Sequence, residues 1–205
     1  MKKLVLLFLT ICFQMSGQNL SKEEIQKERF NLGMSFLLKN ENETAIKSFY
    51  YAYKIIPDNK SGQVAFKKYD SLRPIIRENL KKNIIGNWKK IYKGPNWGIP
   101  DENDTVGEMI TINENEILFF ELYKNIKEWC LVRTEPIVFC KKAEDGNEIH
   151  EVNFTEFTFK NSEVWQFYID EKSGLLKTFL FGYESENGLS QIICGGISNE
   201  YFKLE

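Results

Sequence analysis

One histidine, His150, serves the whole 205-residue chain, and that scarcity removes more chemistry than any other feature. No histidine pair can hold a metal, and a Ser-His-Asp relay would have to be built on that single side chain. The sequence also has no Gly-x-Ser-x-Gly elbow, no glycine-rich phosphate loop and no Cys-x-x-Cys pair, so the common nucleophile, nucleotide and thiol-redox sites lack their residues. His150 stands beside Glu151 in an expected strand and reads as a surface residue. With 29 acidic residues, neighbouring carboxylates are inevitable and do not by themselves point to glycoside hydrolysis. Asp101, Asn103 and Thr105 alternate like the start of a calcium loop, but the required glycine and closing glutamate are missing. Neither a catalytic residue nor a cofactor nor a metal is expected.

Two further shortages bound the setting. No apolar run approaches the roughly 20 residues that span a bilayer, so no transmembrane segment is expected in the mature chain. No concentrated basic stripe exists, and the net charge is −2, so nucleic acid is not an expected partner. The charge is unevenly shared. Residues 18–83 hold 13 Lys and Arg against 8 Asp and Glu, whereas residues 84–205 hold 12 against 21. Opposite signs favour docking of the two halves on each other.

What is present begins with an export signal. Lys2 and Lys3 precede an apolar run from Leu4 to Phe13, and Met15-Ser16-Gly17 closes with small side chains, so residues 1–17 read as a signal peptide and the mature chain as periplasmic or secreted. Ile11 before Cys12 does not fit a lipoprotein signal. Removing Cys12 leaves Cys130, Cys140 and Cys194, an odd number in an oxidising compartment. Thr134-Glu135-Pro136 reads as a turn that would set Cys130 opposite Cys140.

Residues 18–83 carry a helical period. Ser21 and Glu24 form a capping box, and a first helix follows with Ile25, Leu32 and Phe36 on one stripe and Phe30, Met34, Leu37 and Leu38 on its neighbour. Lys39-Asn40-Glu41-Asn42 supplies a turn, with Asn40 and Glu43 at box spacing. The second helix turns Ala45, Ile46, Phe49, Tyr50, Tyr53 and Ile56 inward and ends before Pro57. A third helix is expected from Lys60 to Asn83, kinked or restarted at Arg73 by Pro74. Leu32-Gly33, Phe36, Ala45, Phe49, Ala52 and Pro57 resemble the tetratricopeptide repeat in type and spacing, with Arg29 departing where that pattern favours tryptophan. The resemblance implies a helical hairpin in which glycine and alanines allow close approach and aromatics fill the gap. One repeat plus a capping helix cannot bury both stripes, so Phe30, Met34 and Leu37 are candidates for an interdomain or partner-binding surface.

From Ile84 onward the period is two, with about ten strands separated by turn sequences such as Asn113-Glu114-Asn115 and Asp170-Glu171-Lys172-Ser173-Gly174. Short connections imply antiparallel neighbours, and a parity change between Phe154 and Phe157 implies a bulge. The opening triplet Gly86-Asn87-Trp88 resembles the entry of lipocalin-like barrels, which implies a tryptophan across one end and a first loop, holding Trp97, over the mouth. The expected fold is therefore α+β: a helical hairpin with a capping helix over residues 18–83, then an up-and-down antiparallel barrel of 8–10 strands over residues 84–205. Two functions fit. One is a non-catalytic interaction or structural module of the cell envelope with a protein partner. The other is a carrier of a small apolar ligand lined by Trp88, Trp97, Trp129 and Trp165. An enzyme comes last.

Overall fold

The computed structural model describes residues 20–91, 105–140, 155–186, 188–192 and 196–205. The apolar leader, the loop with Trp97, the segment with His150, the Phe154 end of the expected bulge, and Cys194 lie outside those residues. Among the described residues three helices precede nine antiparallel strands, an α+β fold. The chain divides into two compact units, Met1–Leu72 and Arg73–Glu205.

In the first unit, helix α1 (Lys22–Leu38) starts on a complete capping box. The Ser21 hydroxyl accepts from the Glu24 amide at 3.2 Å, and the Glu24 carboxylate accepts from the Ser21 amide at 2.8 Å. That pairing holds the Glu24 carboxyl below the usual carboxylate range. Helix α2 (Asn42–Ile55) lacks the second box expected from Asn40 and Glu43. Asn40 instead adopts a left-handed conformation (φ 62°), with its amide donating to Leu37 O, so it ends α1 and does not begin α2. Helix α3 (Lys60–Ile84) is continuous through Pro74, and no restart occurs at Arg73.

Gly33 makes the hairpin possible, because a β-carbon there would stand 2.8 Å from the Phe49 ring. Ala45, Ile46, Phe49 and Ala52 of α2 are fully buried. Phe30 packs on Phe49 with ring centroids 5.4 Å apart, while Tyr50 and Tyr53 meet Tyr69 and Phe66 of α3 at 5.2 and 4.9 Å.

The second unit begins at Arg73, inside α3, and strand β1 (Gly86–Lys90) follows the end of that helix at Ile84 after a single intervening residue. Gly86 has φ +141°, a conformation that side-chain-bearing residues rarely adopt, so the switch from helix to strand needs glycine. Eight more strands follow: β2 (Thr105–Ile112), β3 (Glu116–Tyr123), β4 (Trp129–Pro136), β5 (Phe157–Thr158), β6 (Glu163–Ile169), β7 (Leu176–Ser185), β8 (Gly188–Gln191) and β9 (Ser198–Lys203). Their order is β4-β3-β2-β1-β9-β7-β6-β5, with β8 beside β7. Strand β7 pairs with β9 over Leu176 to Phe179 and with β8 over Gly182 to Ser185, so β8 and β9 occupy one interrupted column.

Thr134-Glu135-Pro136 is not the expected turn but the end of β4, paired residue for residue with Leu118, Ile117 and Glu116. Cys130 and Cys140 therefore lie ten residues apart along one running segment and are both free thiols, not a cross-strand disulfide. Past β4 the chain reaches the opposite end of the sheet: Phe139 bridges Phe157, Cys140 N donates to Glu156 O at 2.8 Å, and Thr158 N donates to Val138 O at 2.8 Å. The sheet curls into a half-barrel whose end strands meet along this short seam. Bulges lie at Thr105/Gly107, Phe119/Phe120 and Val164/Trp165. Bulges of this kind bend a sheet.

Candidate functional site

The concave face of the sheet is where a carrier would hold its cargo, so its occupants decide what the unit can do. Trp88, Ile110, Ile112, Ile117, Phe157, Phe159, Trp165, Phe167, Leu176, Leu180 and Tyr201 form one buried cluster with Ile84 from the last turn of α3. The Trp88 indole N–H donates to Ile84 O at 2.7 Å, and the Lys203 ammonium lies 5.3 Å from the Trp88 ring. The buried indole is thus satisfied at its polar atom and capped by a cation. Trp165 stacks on Phe159 with centroids 6.1 Å apart and donates to Glu163 at 2.8 Å. Phe157 and Phe167 stand 5.4 Å apart, Phe119 and Phe159 5.9 Å. These rings contact one another. Burial of each such ring contributes about 1.5–3 kcal/mol.

Two of the four candidate tryptophans, Trp88 and Trp165, are therefore brought together in the core. Trp129 is not. It pairs with Leu122, whose side of β3 is opposite to Ile117 and Phe119, and its ring lies over Gly107, where a β-carbon would stand 3.1 Å away. It belongs to the convex face. Trp97 lies outside the described residues.

Polar side chains enter the concave side in matched sets. Lys90 follows Trp88 by two residues on β1 and reaches both Glu108 carboxylate oxygens at 2.9 and 2.8 Å. Glu135, 3% exposed, accepts from the Lys160 amide at 2.9 Å and lies 3.8 Å from Arg133 Nε. The Arg133 guanidinium in turn sits 4.1 Å from the Phe119 ring and 5.3 Å from the Phe159 ring. Burial pushes the Tyr201 phenol well above its usual range, the Glu108 charge adds to this, and a bond to Thr178 and the Arg133 charge oppose it. Tyr201 is thus a neutral hydrogen-bonding group at any physiological pH. Among the described residues no group of three or more His, Cys, Asp or Glu side chains could hold a metal ion.

A groove of about 290 Å³ runs along the seam, lined by Pro136, Val138, Phe139, Thr158, Lys160 and Glu184 among others. It lies at the small end of the ligand-pocket range. Two of its polar groups are already engaged: Lys160 Nζ donates to Thr134 O at 2.6 Å, and the Thr158 hydroxyl donates to Glu184 at 2.8 Å.

On the helical hairpin, Phe30, Met34 and Leu37 are half-buried, Phe30 against Phe49 as described. The apolar residues of α1 most open to water are Ile25 (36%), Leu32 (39%) and Leu38 (83%). Sequence reasoning missed the reason. The buried line of α1 runs through Gln26 and Gly33, seven residues apart, and neither is hydrophobic. The Gln26 amide donates to Ala52 O at 2.8 Å and Ile56 O at 3.0 Å, and its oxygen accepts from Asn59 at 2.7 Å. Asn59 then accepts from the Gly62 amide at 2.6 Å at the start of α3. One buried side chain ties α1 to the end of α2 and the beginning of α3. The only signal available was a glutamine at helical spacing from a glycine.

No family model, curated protein or solved structure matches this chain.

Proposed function

We propose that this chain is an exported, non-catalytic interaction module of the cell envelope, and that its helical hairpin engages a protein partner. The observation that carries the reading is the contrast between the two faces a ligand could use. On the sheet's concave side its own rings pack on one another and its charges are matched. The hairpin leaves Ile25 and Leu32 exposed on α1, with Phe36 half-buried beside them. Export rests on Lys2, Lys3 and the apolar run Leu4 to Phe13. The hairpin's likeness to a tetratricopeptide repeat is supported by the contact of Gly33 with Phe49 and by the burial of Ala45 and Ala52. The likeness of the sheet to a lipocalin-like barrel is supported by the buried Trp88 after Gly86. The test is a photo-crosslinking residue at Leu32 in cells that make the protein, with a control probe at Lys172 in the β6–β7 turn. A discrete protein adduct from position 32, absent from 172 and lost when Ile25→Asp is added, is expected. The same adducts at both positions, or none at 32, contradict the reading.

A further inference from the structure

We propose that the convex face of β2–β4, with the β3–β4 hairpin at its tip, docks on an anionic lipid surface. The sheet's outer side should be polar, yet in register across three strands it carries Met109, Phe120 and Leu131 in one row and Leu122 and Trp129 in the next. Leu131 is 55% exposed, and at the same end of the sheet Val106 is 60% and Ile126 46% exposed. Ile126 stands in the hairpin turn, where its amide donates to Tyr123 O at 3.0 Å. A single apolar side chain on a turn, with two more at its base, is too small for a stable protein interface but fits insertion among headgroups.

Charge selects the occupant. Residues 84–205 carry 12 basic and 21 acidic groups, so most of this unit repels an anionic surface. The tip reverses that sign: Lys124 and Lys127 flank Ile126 and are exposed, and the Lys89 ammonium lies 6.0 Å from the Trp129 ring. Of the nearby acids, Glu128 is exposed, Glu121 accepts from Thr105 at 3.4 Å, and Glu108 is held by Lys90. Lysine stems can lie along the apolar patch while their ammonium groups reach phosphates, and tryptophan favours the boundary between apolar and wet.

Flotation tests it, using the chain from Gln18 so that the run Leu4 to Phe13 cannot itself bind lipid. Vesicles of phosphatidylcholine are compared with vesicles containing phosphatidylglycerol. The chain is expected to float with the anionic vesicles, to bind the neutral ones several-fold less, and to lose about tenfold or more of its anionic binding in Ile126→Asp and in Lys124→Glu/Lys127→Glu. All three forms should melt at the same temperature, since the altered side chains are exposed. No flotation with either vesicle, or variants that float like the parent, overturns the proposal. So does a solution dimer that Leu131→Asp makes monomeric without any vesicle binding, which would assign the face to a second copy.

Discussion

The sheet unit buries phenylalanine and tryptophan and gives its turns to water, whereas the hairpin buries a glutamine and a glycine on α1 and leaves isoleucine and leucine outside. On the sheet's inner face the buried residues are the large apolar ones, and their rings pack on one another. In α1 they part company. The closest approach to α2 is set by the residue with no side chain, Gly33, and the next point of contact by the amide that closes the open backbone carbonyls of Ala52 and Ile56. A helix whose most apolar stripe is not its most buried one has surface left for something else.

The comparison breaks first at Trp88. If the sheet's interior is a packed core, Trp88→Ala leaves a large cavity and costs about 3–5 kcal/mol, measured by denaturant unfolding. A loss under about 1 kcal/mol would mean that the interior is loose. In the hairpin, Gly33→Val forces a side chain into the Phe49 ring and should cost about 1–3 kcal/mol, seen as a lower melting point of the helical signal. Gln26→Leu keeps the volume but strands the two carbonyls and Asn59, and is expected to cost about 1–3 kcal/mol. Were Gln26→Leu neutral or stabilising, the clasp would be dispensable and the hydrophobic reading of α1 right after all.

A smaller effect belongs to the β6–β7 turn. The Asp170 carboxyl is lowered from 3.8 to about 2 by bonds from the Ser173 hydroxyl and amide and by Lys177, 3.2 Å away. A depressed folded value means that the turn's contribution is fully present above pH 4 and is lost as pH falls through about 2. Carboxyl-carbon NMR should show Asp170 titrating near 2; a midpoint near 3.8 would mean that the turn's bonds do not hold the carboxylate. Smallest of all, Ile25→Asp should change stability by no more than about 0.5 kcal/mol while abolishing the crosslink from position 32.

Much of this architecture was legible from local chemistry. The capping box at Ser21 and Glu24 formed in full, the Asn113 turn closed with its side chain accepting from Asn115 and Glu116, and the tryptophan after Gly86 is buried. What failed were features decided by distant partners. Thr134-Glu135-Pro136 has turn composition, but pairing with β3 on one side and the Lys160 bond to Glu135 on the other hold it extended. Asn40 with Glu43 has the spacing of a helix start, yet the Asn40 amide bonds back to Leu37 O of α1. Of the tryptophans expected to line a ligand, Trp88 and Trp165 share a core, and Trp129 faces out because the β3 register, not the residue type, sets its side.

The central claim is that the sheet is filled by its own side chains and the protein acts through its surfaces. Native mass spectrometry of the chain purified from its own cells under gentle conditions tests this most directly. The account predicts the bare polypeptide mass. A stoichiometric adduct of a few hundred daltons that dissociates on unfolding would contradict it and make the curled sheet a carrier.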